Sequence, residues 1–522
     1  MDRSICIILM IALAGAQASA EGLLEPSCST LLTGDLANIL MVTDVDGDGV
    51  PNILMGTKIG GNLHNYVYKD ADCTQDWTHM NGGWTYDTPG DVRSFAVSDL
   101  DGDGRNQVII NSITSSHTQN TPKEYVYVIH ANGLEDWDFN KECGLSASVD
   151  AADVDGTGID NVILGTKSKK VCALADDTKS KKPVLWSYVA ADPVEFVKGA
   201  DMTGDAVPEI IAYSGGYRKG DLTLLSPLGQ KLWTAKISGG MYNAMIPSNV
   251  IKVATLSSVG PPSIVIGTYE SGVQAYSNAG KLIWEYKTGN LISAMEVADI
   301  DGDSDDEVII GSAPNVIILD GQGKKVASWN SGSEKTIYSI SAYDMDSDGK
   351  KEIAVGTHKF IYVLDDDGSK YGEWKYTVEI QGLTKAYEER DADAVSVFMG
   401  DLDGDGEAEI ASAWNWQQDT HRGNQYSLAL RAFEIDESYR EAPPTTTTVM
   451  AEPEPDVDKP TMTEPTTTVV TPQRDDTIED EPQEEEEEEE EEGGMCCIPM
   501  LPAIIAAALA VLLRLPLAIR RD

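Results

Sequence analysis

One motif, Asp-x-Asp-Gly-Asp-Gly-x-x-(Glu/Asn), returns along most of this chain, each time after a short apolar strand and before an apolar run ending in Gly-Thr or Gly-Ser. It starts at Asp44 (DVDGDGVPNILMGT), Asp99 (DLDGDGRNQVIINS), Asp153 (DVDGTGIDNVILGT), Asp201 (DMTGDAVPEIIAYS), Asp299 (DIDGDSDDEVIIGS), Asp344 (DMDSDGKKEIAVGT) and Asp401 (DLDGDGEAEIASAW). An eighth copy at Thr255 (TLSSVGPPSIVIGT) keeps the frame and loses every acid. Successive starts lie 55, 54, 48, 54, 44, 45 and 57 residues apart. Each period has room for four strands: the run after the loop is followed by an alternating stretch such as Lys359 to Leu364, a turn such as Asp366-Asp367-Gly368, and a Trp-bearing run such as Gly372 to Val378. Helical spacing appears nowhere in the body. Four-stranded units of this length bury their faces by stacking around an axis. The expected fold is therefore all-β, a β-propeller of four-stranded blades over residues 21–440. The copies number eight blades, or seven if the degenerate copy is expelled. A candidate outer strand at Cys28 to Thr33 precedes the first loop, and the last copy lacks one after Phe433, so the N-terminus is expected to complete the final blade.

The loop chemistry is specific. Positions 1, 3 and 5 place carboxylates on one side of a tight turn, position 7 offers a carbonyl, and position 9 adds Glu or Asn: the hard oxygen shell that Ca²⁺ prefers. Glycines at positions 4 and 6 permit the positive φ such a turn needs. An EF-hand would carry an acid at position 12, where this chain has Met55, Ile110, Leu164, Ile310 and Val355, which are strand residues.

Charge points the same way. With 39 Lys+Arg against 86 Asp+Glu the formal net charge is −47, which repels phosphate backbones and excludes nucleic acid as a partner. Residues 441–494 hold 20 acids and 2 bases, which leaves −29 for the rest of the chain. That stretch, rich in Pro, Thr and Glu and ending in nine glutamates from Glu484 to Glu492, cannot bury a core and reads as a disordered stalk. Residues 1–20 read as a signal peptide, with Arg3, an apolar run and Ala18-Ser19-Ala20 at the cut. Residues 495–519 are long and apolar enough for a transmembrane anchor, with Arg520 and Arg521 marking 520–522 as a cytoplasmic tail. A processed sorting tail after Gly493-Gly494 is the alternative. The expected location is the cell surface, single-pass, with the N-terminal body outside. Cys28, Cys73, Cys143 and Cys172 form an even set in an oxidising compartment; sequence neighbours pair Cys28 with Cys73 and Cys143 with Cys172.

These loops resemble the FG-GAP/VCBS repeats of the integrin α-subunit propeller and of prokaryotic cell-surface proteins, over about residues 35–435. The resemblance implies several structural Ca²⁺ ions, held by Asp44, Asp46, Asp48 and Asn52; Asp99, Asp101 and Asp103; Asp299, Asp301, Asp303 and Glu307; Asp344, Asp346, Asp348 and Glu352; and Asp401, Asp403, Asp405 and Glu409. Thr157 and Thr203 replace acids, so Asp153, Asp155 and Asn161, and Asp201, Asp205 and Glu209, are expected to be weaker sites, while Gln107 leaves the second loop one charge short. Outer-strand runs such as Asn278 to Gly289 (NAGKLIWEYKTG) look like the repeat of quinoprotein-type propellers; the adjacent cysteine pair of the quinone dehydrogenases has its only counterpart in Cys496-Cys497, beside the apolar C-terminal segment.

Binding is the functional class expected, with no nucleophile elbow, Walker loop, HExxH helix or Cys/His zinc spacing in the sequence. In an up-and-down blade the loop joining strands two and three opens at the face away from the metal loop. Asn111 to Glu124, Ser214 to Asp221 and Ser412 to Gln425 are expected as long loops there. They and the connections between blades bring Trp84, Tyr86, Tyr242, Tyr387, Arg390, Trp414, Trp416, His421 and Arg422, residue types that dominate binding hot spots and stack on sugars. The alternative has Trp414 and Trp416 packing between blades. The expected function is a calcium-binding propeller that recognises an extracellular protein or glycan, as in adhesion. A glycan-active enzyme such as a polysaccharide lyase and a structural surface-layer component are the alternatives.

Overall fold

The computed structural model describes residues 24–435 apart from 34–35, 59–61, 68–82, 114–123, 140–142, 176–183, 217, 241–249, 270–271, 333–335, 376, 381–387, 392 and 421–422. The expected signal peptide, stalk and anchor lie outside the described residues. Among the described residues no helix is long and apolar enough to cross a membrane.

Eight four-stranded antiparallel sheets form eight blades: 37–87, 91–139, 146–189, 194–238, 251–286, 294–330, 337–375, and 393–435 completed by the strand Leu24–Thr33. The degenerate copy at Thr255 is a full blade, the fifth, so the count is eight. Leu24–Thr33 pairs antiparallel with Gly423–Ile435 as the outermost strand of blade 8, so the ring is closed by joining the two ends of the folded chain. Asn415 of blade 8 adds a second clasp, accepting the amide of Ala37 and donating to its carbonyl, each at 2.8 Å. An extra hairpin, Thr377–Ile380 with Glu388–Asp391, lies between blades 7 and 8.

The second strand of each blade explains the unbroken apolar run. Asn52–Thr57, Asn161–Thr166, Ser263–Thr268, Glu307–Ser312 and Glu352–Thr357 are buried at every residue, because each has ladder neighbours on both edges and a blade against both faces. The closing Gly-Thr has a physical reason too. A Cβ on Gly56 would sit 2.7 Å from Val92 Cγ1 of the next blade, and Thr57 Oγ1 accepts the amide of Asn62 at 2.9 Å to shape the following turn.

Two sets of side chains hold blade to blade. Near the axis, Ser94, Ser148 and Ser341 accept the amides of Val149, Val197 and Met399 from the next innermost strand, at 3.1–3.3 Å. At the rim, the outer-strand tryptophan of one blade covers the turn of the next: Trp84 Nε1 donates to Ala131 O at 2.6 Å, Trp233 to Asn278 O at 2.7 Å and Trp284 to Gly321 O at 2.9 Å. The core is thus a series of apolar layers between blades. The predicted pair Cys143–Cys172 is bonded, tying the entry of blade 3 to its third strand. Cys73, needed for the other predicted pair, lies outside the described residues.

Candidate metal centres on one face

Each repeat loop joins the first and second strands of its blade, so all eight loops emerge on one face of the ring. The first aspartate builds the turn. Asp44 Oδ1 accepts the amide of Gly47 at 2.7 Å and Oδ2 that of Gly49 at 2.9 Å; Asp99, Asp153, Asp201, Asp299 and Asp401 bind positions 4 and 6 of their own loops in the same way. The fifth position then accepts the amide of the seventh, as Asp48 does from Val50 at 2.9 Å and Asp348 from Lys350 at 2.8 Å. The left-handed backbone at position 6 is imposed even where glycine is missing, at Ala206 (φ 66°) and Ser304 (φ 74°).

Position 9 does something the sequence did not reveal. Its side-chain oxygen accepts the buried amide of position 2 in all seven acidic loops: Asn52 from Val45 at 2.7 Å, Gln107 from Leu100, Asn161 from Val154 at 3.0 Å, Glu209 from Met202 at 3.0 Å, Glu307 from Ile300 at 3.1 Å, Glu352 from Met345 and Glu409 from Leu402, the last two at 2.8 Å. Gln107 meets this requirement as well as Glu does, so it is a fitting residue in its loop. The shared need is for an acceptor.

Ligand oxygens converge in five loops. In Asp44/Asp46/Asp48, Asp99/Asp101/Asp103, Asp299/Asp301/Asp303, Asp344/Asp346/Asp348 and Asp401/Asp403/Glu409, one oxygen from each residue lies within 4.8 Å of the others. In loop 8 the third member is Glu409 rather than Asp405. Asp46 Oδ1 in loop 1 is buried and has no hydrogen-bond partner, an orphaned acceptor that a hard cation would satisfy. Burial, and then the neighbouring Asp48, raise the pKa of Asp46; burial and Asp348 do the same to Asp346. The donor chemistry and this stored repulsion fit calcium.

The other loops compensate internally. Asp153/Asp155/Asn161 and Asp201/Asp205/Glu209 do not bring three carboxylates together. In loop 3 the hydroxyl of Thr157, standing where an acid would, donates to Asp155 Oδ1 at 2.8 Å. In loop 4 the amides of Ala206 and Gly204 hold Asp201 below the usual carboxylate range. Loop 5 borrows acids from loop 6: Asp306 accepts the amide of Thr255 at 2.6 Å and Asp305 that of Ser258 at 2.5 Å.

The expected ligand-binding rim is corrected in part. Ser412 to Gln425 is not a long loop, because Glu409–Thr420 and Gly423–Ile435 stay paired up to Thr420 and Gly423. Trp414 and Trp416 are buried strand residues: Trp414 packs edge-on to Trp374 of blade 7 with ring centroids 5.6 Å apart, and both tryptophans share its apolar layer. Their spacing of two was strand alternation. Ser214 to Asp221 is likewise a hairpin, paired to Gly215 and Gly220. Trp84 is buried at the start of its strand, next to the turn end that shares the metal-loop face, and Tyr86 rests on Tyr127 at 5.5 Å with its hydroxyl on Glu135. Tyr242, Tyr387, His421 and Arg422 lie outside the described residues, and of Arg390 only the backbone, paired with Val378, is described.

Residues 299–355 match the FG-GAP-like repeat, and the eight-bladed ring fits an FG-GAP repeat propeller. No curated protein matches the chain in sequence. Among solved structures, BBS1N from its complex with ARL6DN is similar at 10% identity and a TM-score of 0.44, over 80% of this chain and 99% of that one. The V. cholerae biofilm matrix protein Bap1 is similar at 14% and 0.44, over 78% and 88%. Sqt1 from Chaetomium thermophilum follows at 12% and 0.43, over 64% and 82%.

Proposed function

We propose that this FG-GAP repeat propeller is a calcium-stabilised, membrane-tethered cell-surface domain that recognises an extracellular protein or glycan. The reading rests chiefly on the convergence of three carboxyl groups in each of five loops on one face, one of them holding the unpartnered buried oxygen of Asp46. Asp44, Asp46 and Asp48, their counterparts in blades 2, 6 and 7, and Asp401, Asp403 and Glu409 in blade 8 would hold the ions. Bound calcium supplies the positive charge that relieves carboxylate repulsion and fixes the loops. The protein's own residues do the rest: position 1 shapes the turn, position 9 closes it, and the tryptophans at the rim transmit its rigidity to the next blade. The metal face is then structural, and recognition falls to the opposite face, where the hairpin Thr377–Ile380/Glu388–Asp391 sits in the connection between blades 7 and 8.

Melting the full chain with calcium and with chelator tests the metal reading. At free calcium of about 100 times the dissociation constant each site adds roughly 2.7 kcal/mol, and coincident curves would overturn it. Asp299→Ala is expected to cost more stability in calcium than Asp153→Ala, since only the former breaks a convergent triad. A chain ending at Arg440 is expected in the medium, while the full chain stays with membranes through a carbonate wash. Binding to arrayed glycans and surface proteins without product formation would support recognition over lyase chemistry.

A further inference from the structure

The metal loops are joined to one another, and unequally. Asn106, at position 8 of loop 2, donates its backbone amide to Val45 O at 2.9 Å and its side-chain amide to Asp44 O at 2.7 Å, both in loop 1. Lys351, at position 8 of loop 7, donates its backbone amide to Ile300 O of loop 6 at 2.9 Å. The same two pairs make the same close approach: a Cβ on Gly47 would lie 2.7 Å from Gly104 O, and one on Gly302 3.0 Å from Gly349 O. Loop 8 lacks this position-8 backbone link and meets loop 7 instead through Tyr343, which lies against the backbone of Asp401. Pro51, at position 8 of loop 1, has no N–H to give to loop 8, and among the described residues no backbone bond joins Ala408 of loop 8 to loop 7.

We propose that loops 1 and 2, and loops 6 and 7, load calcium as two coupled pairs, and that Asn106 and Lys351 are the positioning residues that couple them. This rests on the calcium reading above. The coupling has a short physical path. Asp103 accepts the amide of Arg105 at 2.9 Å and Asp348 that of Lys350 at 2.8 Å, so each position-5 carboxylate holds the amide of the residue directly before the linking one. Fixing Asp103 in loop 2 fixes Asn106, and Asn106 anchors the carbonyls of Asp44 and Val45, from which the loop 1 turn is built. A loop ordered by its neighbour has less conformational freedom to lose when its own ion binds. Linkage makes the effect reciprocal.

Hydrogen exchange of the full chain, read by mass spectrometry across a calcium titration, resolves each loop separately. In the wild type, loops 1 and 2 are expected to gain protection at one calcium midpoint and loops 6 and 7 at one midpoint. Asp101→Asn, which weakens loop 2, should raise the loop 1 midpoint roughly five-fold or more and leave loops 6 and 7 unmoved. In Asn106→Pro, which installs the residue already present at this position in loops 1, 4 and 5, Asp101→Asn should no longer move loop 1. Asn106→Ala removes only the side-chain bond and should reduce the effect in part, which keeps the test open if the proline variant fails to fold. Lys351→Pro should separate loops 6 and 7 in the same manner. A loop 1 midpoint unaffected by Asp101→Asn, or loop 6 and 7 midpoints that move with it, overturns the coupling while the calcium reading stands; no calcium-dependent protection in any loop overturns both.

Discussion

Glu352 accepts the backbone amide of Met345 at 2.8 Å across the loop it closes, and burial, then the nearby Asp346, push its pKa up to about 8. Glu307 holds the same place in loop 6 and is pushed up to about 7, again by burial first and then by Asp301 and Asp303. Without metal the folded protein therefore keeps protons on these groups that the unfolded chain, with a glutamate pKa of 4.5, has already released. Between about pH 5 and 8 the folded state binds more protons, so stability falls as pH rises. In chelator the melting temperature is expected to be lower at pH 8 than at pH 6. Saturating calcium favours the ionised form and should shrink or reverse that difference. Calorimetry at the two pH values, with and without calcium, decides it; a melting temperature in chelator that rises with pH would count against the assignment.

The ring was legible because its repeat is written in backbone requirements: a turn residue set, a fully buried strand and a closing Gly-Thr recur at the spacing of a blade. Completion of blade 8 by the N-terminal strand could be read from a missing fourth strand. Trp414 and Trp416 left two readings open, of which packing between blades is the one found, because tryptophan has the same chemistry on a binding rim and in a layer between blades, and only the extent of strand pairing tells which. The role of position 9 was hidden for a related reason. Asn, Gln and Glu look unequal as metal ligands and equal as acceptors for a buried amide. The links through Asn106 and Lys351 had no motif at all, since a backbone amide reports nothing of its partner; only the prolines at position 8 of other loops carried a trace.

Closing the loop and holding metal are separable tasks, and loop 2 can show it. Gln107→Ala leaves the buried amide of Leu100 without an acceptor and should cost about 1–3 kcal/mol with or without calcium. Asp103→Ala removes a carboxylate from an exposed cluster and should cost little in chelator and much more in calcium. Gln107→Glu keeps the acceptor and should be near neutral in chelator. Urea unfolding under both conditions gives the comparison.

The disulfide between Cys143 and Cys172 closes a segment of 29 residues around the entry to blade 3, and both cysteines are buried. Chain-entropy arguments put its contribution at roughly 3.5 kcal/mol for a loop of that length. Replacing both cysteines by Ala should lower the urea midpoint by a corresponding amount and should leave calcium stoichiometry unchanged. A double variant as stable as the wild type would show that the apolar layers alone fix this entry.

Trp233 donates its indole N–H to Asn278 O at 2.7 Å and lies against Gly280, where a Cβ would come 2.6 Å from the ring. Three substitutions and one control dissect this contact. Trp233→Phe keeps an aromatic ring and loses the hydrogen bond, so it should cost roughly 1 kcal/mol, more if the carbonyl of Asn278 is left dry. Trp233→Ala also opens a void between blades 4 and 5 and should cost about 3–5 kcal/mol. Gly280→Ala meets the ring and has a left-handed φ of 74°, whereas Gly289→Ala, at φ 79°, has no atom within 4 Å of its new Cβ. Both alanines bear the backbone cost of roughly 1–2 kcal/mol, so the excess loss in Gly280→Ala isolates the contact with Trp233. Urea midpoints for the four variants should fall in the order Trp233→Phe above Gly289→Ala, with Gly280→Ala and Trp233→Ala lowest. If Gly280→Ala were no worse than Gly289→Ala, the tryptophan would be resting loosely on its neighbour, and rigidity would have to pass between blades through the serines near the axis instead.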